Sequence, residues 1–161
     1  MIESILNIDP TLLEQFDCGV EPLNSFLKKY ALKNDINNIG KTFVNTDGTK
    51  VVGFVTLCSA QLAFEQMPKT YKTSNPKYPV PCIRIARLAV DVNVQKCGNG
   101  RKLLAFAIKK ALLASINVGI KGIVVDAKES SKAFYEQYGF VLLPNMGLTY
   151  FLPIESVINS L

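Results

Sequence analysis

No histidine occurs anywhere in the 161 residues. That excludes Ser-His and Cys-His nucleophile pairs and removes the main ligand of catalytic zinc, so no metal is expected. Four cysteines, Cys18, Cys58, Cys82 and Cys97, include no Cys-x-x-Cys pair. They read as reduced thiols, mostly buried as small apolar residues. No apolar run approaches the roughly 20 residues of a membrane span. The start Met1-Ile2-Glu3-Ser4 is not the basic, then apolar, opening of a secretory signal. The expectation is a soluble, cytoplasmic protein with no membrane partner.

Acidic residues are also scarce in one stretch. Between Gln66 and Val125 the single carboxylate is Asp91, whereas Lys69, Lys72, Lys77, Arg84, Arg87, Lys96, Arg101, Lys102, Lys109, Lys110 and Lys121 all fall there. The net charge of +5 is modest, but its segregation favours an anionic partner: a phosphate-bearing cofactor, a nucleic acid, or both. The plain alternative is a solvated basic surface.

What is present suits a globular fold: 48% hydrophobic and 19% charged residues in a length that suits a single domain over 1–161. Leu23, Phe26, Leu27, Tyr30 and Ala31 recur at helical spacing, which predicts a helix from Pro22 to about Lys33. Lys41–Asn45 and Val51–Cys58 read as strands joined at Asp47-Gly48, an antiparallel hairpin. Met67 to Pro81 reads as a loop, and Cys82–Val90 as a central strand. A helix with Leu103, Leu104, Ala107, Ile108, Ala111 and Leu112 on one stripe follows. Gly122–Val125 reads as a short buried strand, Ser130–Tyr138 as a helix stopped by Gly139, and Phe140–Leu143 and Leu148–Leu152 as closing strands. The sum is an α/β (α+β) fold, a mixed sheet with helices on its faces.

Between the central strand and the long helix stands Gln95-Lys96-Cys97-Gly98-Asn99-Gly100. Glycines let a backbone turn sharply and approach a ligand, and the first N–H groups of a helix attract an anion. Lys96 and Arg101 add charge. Such a pair also serves as a plain turn. The third glycine of a dinucleotide fingerprint and the Gly-Lys-Ser/Thr ending of a P-loop are both missing, which removes NAD and nucleoside triphosphates.

This segment resembles the acetyl-CoA loop of the GNAT acetyltransferases, Gln/Arg-x-x-Gly-x-Gly/Ala. Ala133-Phe134-Tyr135 with Gly139-Phe140 stands in the order that superfamily shows. Asn99 departs from its usual aliphatic residue. Phe16-Asp-Cys-Gly19, Leu23-Asn-Ser-Phe-Leu27, Tyr78-Pro-Val-Pro81 and Ala86-Arg-Leu-Ala-Val-Asp91 are similar to segments of GNAT toxins of type II toxin–antitoxin modules. The resemblance implies a GNAT fold with splayed central strands and acetyl-CoA as cosubstrate. It implies aminoacyl-tRNA as acceptor, a ribbon-helix-helix antitoxin as partner, and a homodimer.

For the site, it implies that Leu88, Ala89 and Val90 hold the pantetheine arm through backbone groups. Gln95, Lys96, Cys97, Gly98, Asn99, Gly100, Arg101 and Lys102 would receive the pyrophosphate, with Asp126 at the end of the neighbouring strand. Tyr135 would protonate the departing thiolate, although an aromatic there also suits a core. Asp126 could equally cap or pair, and Glu129 is expected to face solvent, so no general base stands out. That favours an α-amine, with a pKa near 8, over a lysine near 10.4. Arg84, Arg87, Lys28, Lys29 and Lys33 are candidate tRNA contacts; Arg87 pairing with Asp91 is the competing reading. Acetylation of a small amine or peptide, and a non-catalytic acyl-CoA-binding module, are the alternative functions.

Overall fold

The computed structural model describes residues 1–160. In chain order they form β1 (Ile2–Ser4), α1 (Pro10–Leu13), α2 (Glu21–Ser25), a π-helical turn (Phe26–Tyr30), α3 (Ala31–Ile36), β2 (Lys41–Thr46) and β3 (Val51–Leu62). Then come α4 (Lys69–Ser74), β4 (Val80–Val90), α5 (Asn99–Ser115), β5 (Gly122–Asp126), α6 (Lys132–Glu136), β6 (Val141–Leu142), β7 (Thr149–Pro153) and α7 (Ile154–Asn159). The strands make a mixed sheet in the order β1-β2-β3-β4-β5-β7-β6. The expected α/β architecture is the one found. The chain divides into two compact units, Met1–Cys58 with Ala86–Ala107, and Ser59–Ile85 with the residues from Ile108 onward.

In the first unit the predicted hairpin is present: β2 and β3 pair antiparallel from Lys41↔Leu57 to Thr46↔Val51. The Asp47 carboxylate accepts the N–H groups of Thr49 (2.9 Å) and Lys50 (3.0 Å), which fixes the turn. Sequence reasoning missed β1, which pairs antiparallel with β2 at Ile2↔Asn45 through Ser4↔Phe43. The helix expected over 22–33 is not one α-helix. The Ala31 N–H bonds back to the Phe26 carbonyl, a five-residue step that inserts the π turn and shifts every later side chain around the axis. The turn still buries Phe26 and Leu27 in a core with Ile5, Phe16, Val44 and Phe54. There the Phe16 ring meets Phe54 edge-on at 5.6 Å, and Phe26 stacks on it at 6.2 Å.

Gly53 of β3 allows a close approach in this unit. A Cβ there would lie 2.7 Å from the Ala89 carbonyl oxygen and 2.9 Å from Leu103 Cδ1. Because a backbone atom cannot swing aside, Gly53→Ala is expected to destabilise by about 1–3 kcal/mol. A thermal melt should show a Tm lower by roughly 3–10 °C. An unchanged Tm would mean that β3 and β4 have slack there.

In the second unit β4 pairs in parallel with β5 from Cys82↔Gly122 to Ile85↔Val125. The ladder ends at Ile85↔Val125, and β5 itself ends one residue later at Asp126. β5 pairs antiparallel with β7, and β7 with β6. The core gathers Leu62, Met67, Val80, Cys82, Val124, Leu143 and Phe151. Burial pushes the Cys82 thiol up to about 12, so it stays an inert thiol.

The stretch expected as a loop, Met67 to Pro81, contains α4. Hydrophobic periodicity did not reveal it because polar side chains help hold it: Thr73 Oγ1 donates to the Thr70 carbonyl (3.1 Å), and Asn75 Nδ2 to that of Tyr71 (2.9 Å). α7, also missed, closes the described chain; its Glu155 pairs with Lys121. A groove of about 400 Å³ lined by Tyr71, Lys121, Phe151 and Glu155 among others includes none of the site residues expected from sequence.

Candidate active site

The glycine-bearing loop of the first unit has the geometry of an anion cradle. Gly98 sits at φ +86 with open space where a Cβ would be. Its carbonyl accepts the Lys102 N–H at 3.1 Å, which makes Gly98 the N-cap of α5. The N–H groups of Asn99, Gly100 and Arg101 therefore precede any intrahelical acceptor and are available to a ligand. Lys96, Arg101 and Lys102 are exposed around them. The Asp91 carboxylate accepts the N–H groups of Asp17 (3.2 Å) and Asn93 (3.0 Å). The residues present fit a pyrophosphate.

Two side chains read as ligand contacts turn out to brace the loop. Gln95 Nε2 donates to the carbonyls of Val90 (2.9 Å) and Cys18 (3.2 Å). Asn99, where the family pattern is off, donates its amide to the Val94 carbonyl at 3.1 Å. Its departure from an aliphatic residue thus replaces apolar packing with a hydrogen bond across the loop. Cys97 is exposed and its thiol leans on the Gln95 carbonyl at 3.4 Å. Upstream, Ala89 is buried, and Leu88 and Val90 are half-buried.

Arg87 is not paired with Asp91. Its guanidinium lies over the Phe26 ring at 3.6 Å from the centroid, a cation–π contact that fixes it on the core. Lys28 and Lys29 lie on the π turn and Lys33 on α3. All three are exposed.

In the second unit Tyr135, on α6, is 6% exposed. Its ring is gripped edge-on by Phe134 at 5.1 Å and Phe140 at 5.4 Å. Burial pushes the phenol up to about 12. Among the described residues its hydroxyl has no hydrogen-bond partner, yet no fully buried side-chain oxygen or nitrogen lacks one. The hydroxyl therefore opens at the surface while the ring is held, the disposition of a positioned proton donor.

Arg84 and Asp126 meet each other in this unit. Arg84 Nη1 donates to Asp126 Oδ2 at 2.7 Å, and Thr149 Oγ1 donates to Asp126 Oδ1 at 2.7 Å. Both charged groups are thus engaged with each other, the pairing that sequence reading had left open for Asp126. Glu129 is exposed, as expected, and reaches Lys132 at 3.7 Å. Tyr150 was missed altogether; its hydroxyl donates to Glu136 at 2.5 Å. That bond, aided by burial, pushes its phenol up to about 12. Asn24 and Asp17 stand inside the Leu23–Leu27 and Phe16–Gly19 motifs, which give no sign of the bond between their side chains. Among the described residues no helix is long and apolar enough to cross a membrane, and no cluster of acidic or cysteine side chains could hold a metal ion.

A family model described as an acetyltransferase (GNAT) domain matches residues 38–142. The chain is 35% identical over 130 residues to a tRNA-acetylating toxin of Mycobacterium tuberculosis, covering 80% of this chain and 78% of that protein. Its fold matches AtaT complexed with acetyl-methionyl-tRNAfMet, at TM-score 0.91 and 31% identity over 99% of this chain and 98% of that one. It also matches a mutant AtaT toxin bound to the C-terminus of the antitoxin AtaR and acetyl-CoA. That match has TM-score 0.80 and 28% identity over 99% of this chain and 96% of that one.

Proposed function

The chain belongs to the GNAT acetyltransferase family, and on that footing we propose that it transfers the acetyl group of acetyl-CoA to the α-amino group of aminoacyl-tRNA. In this role it is the toxin of a type II toxin–antitoxin module and blocks translation. The observation that carries the reading is the near full-length match to AtaT in complex with an acetylated aminoacyl-tRNA. The basic character of this chain from Gln66 to Val125 fits the same polyanionic acceptor.

Acetyl-CoA supplies an acyl carbon activated as a thioester. The N–H groups of Asn99, Gly100 and Arg101, with the neighbouring cations, bind its pyrophosphate. Backbone groups of Leu88, Ala89 and Val90 hold the pantetheine arm, and an N–H among them stabilises charge on the carbonyl oxygen. The neutral α-amine attacks the carbonyl carbon, forming the amide C–N bond as the C–S bond breaks. Tyr135 gives its proton to the leaving sulfur, and the amine loses one to water. The step uses no carboxylate base, because an amine with a pKa of about 8 does not require one at cellular pH.

The same proposal makes the protein a homodimer restrained by an antitoxin with a ribbon-helix-helix DNA-binding part. Support for an antitoxin partner comes from the match to AtaT bound to the C-terminus of AtaR; the dimer and the ribbon-helix-helix type rest on the sequence resemblance. Incubation with charged tRNA and labelled acetyl-CoA should yield label on the aminoacyl group. Label on small amines or peptides alone, with every charged tRNA unmodified, would replace the toxin reading with that of a general N-acetyltransferase. Binding of acetyl-CoA without transfer to any amine would leave an acyl-CoA-binding module.

A further inference from the structure

The end of β4 and the glycine-bearing loop do not stand alone in the first unit: a segment more than seventy residues earlier clamps them. The Asp17 N–H donates to Asp91 Oδ2 at 3.2 Å, and the Val92 N–H returns a bond to the Asp17 carbonyl at 2.8 Å. Gln95 Nε2 reaches the Cys18 carbonyl at 3.2 Å. Residues 17–18 thus grip residues 91–95 at three points by backbone groups, and such bonds hold only if residues 17–19 keep one conformation.

Asn24 sets that conformation. It is 5% exposed. Its Oδ1 accepts the Cys18 N–H at 2.8 Å, and its Nδ2 donates to Asp17 Oδ1 at 2.9 Å. The same Asp17 oxygen accepts the Gly19 N–H at 2.8 Å. These bonds hold the Asp17 carboxyl below the usual carboxylate range, the Gly19 N–H contributing most. Asn24 therefore bonds to both the backbone and the side chain of a turn it does not belong to. Asp17, Gly19 and Asn24 lie outside the hydrophobic cluster of this unit. Their common consequence is the position of the Gln95 side chain and, behind it, of Gly98.

We propose that Asn24 and Asp17 are positioning residues for acetyl-CoA, fixing the donor loop from behind. This rests on the reading of residues 95–102 as the pyrophosphate site. A loop held in its bound shape spends less binding energy on ordering, so loosening it weakens the donor and leaves the acceptor untouched.

The test uses the full chain and calorimetric titration with acetyl-CoA. Asn24→Ala and Asp17→Ala should each weaken acetyl-CoA roughly tenfold, the loss of about one well-made hydrogen bond's contribution. The KM for charged tRNA should stay within about twofold, since a factor of two is small on the free-energy scale. Asp17→Asn keeps a side-chain oxygen for Gly19 and Asn24, so its acetyl-CoA affinity should also stay within about twofold of wild type. If Asp17→Asn weakens binding as much as Asp17→Ala, charge and not positioning is at work and the proposal fails. It fails equally if all three variants bind like wild type, or if the KM values for both substrates rise together. Wild-type protein that does not bind acetyl-CoA would overturn the site reading itself, a different result from wild type that binds and variants that match it.

Discussion

Tyr135→Phe is expected to lower kcat for acetyl transfer by about 10²–10⁴-fold, the usual contribution of a positioned general acid. The Kd for acetyl-CoA should not change, because the substitution removes one oxygen and leaves the ring between Phe134 and Phe140. The expectation rests on two features seen together: a ring that cannot move and a hydroxyl with no partner of its own among the described residues. With the phenol pushed up to about 12, it remains protonated through the whole working range. Turnover should then rise with pH as the α-amine deprotonates near pH 8 and level off, with no alkaline fall before about pH 10, two units below the phenol's pKa. Steady-state assays of wild type and variant from pH 6 to 10 check both points. A variant with undiminished kcat would reduce Tyr135 to a core aromatic, the reading its neighbours alone would have suggested.

Replacing Lys28, Lys29 and Lys33 together by Ala is expected to have the next largest effect. The three ammonium groups are exposed, and among the described residues none forms an ion pair. If each neutralises one phosphate of the acceptor, binding should lose about 0.7–0.9 of logarithmic salt slope per lysine, roughly 2–3 in all. The KM for charged tRNA near physiological salt should rise about a hundredfold, at about tenfold per 1.4 kcal/mol and near 1 kcal/mol for each exposed contact. The KM for acetyl-CoA should not follow. Tyr135→Phe and the triple variant therefore fail in separate quantities, kcat for one and acceptor KM for the other. A salt slope identical to wild type would move the tRNA surface elsewhere.

Sequence made some of these features legible and concealed others, for reasons that particular residues show. β2, β3 and α5 follow from local pattern: alternation around Asp47-Gly48, and a stripe of Leu103, Leu104 and Ala107 after a glycine. β1 is three residues long and exists because β2 offers it a partner, so no local signal announces it. The π turn breaks the very periodicity by which its helix was recognised. α4 has Pro68 ahead of it and is held by threonine and asparagine side chains, which read as loop.

The site shows the same division. The glycines, the cations and Tyr135 stand in short motifs, and each was named. The roles of Gln95, Arg84 and Arg87 depended on distant partners, Cys18, Asp126 and Phe26, which no spacing encodes. Asn24 stood inside a quoted motif without a function until its two hydrogen bonds could be seen.

Lys96 holds a left-handed backbone, φ +61, two residues before Gly98 does the same. A lysine there sacrifices roughly 1–2 kcal/mol that a glycine would not. On the proposed reading of this loop, a locally less stable backbone keeps an ammonium group beside the donor's phosphates. On that reading stability and affinity pull in opposite directions at this residue, and Lys96→Gly would trade one for the other.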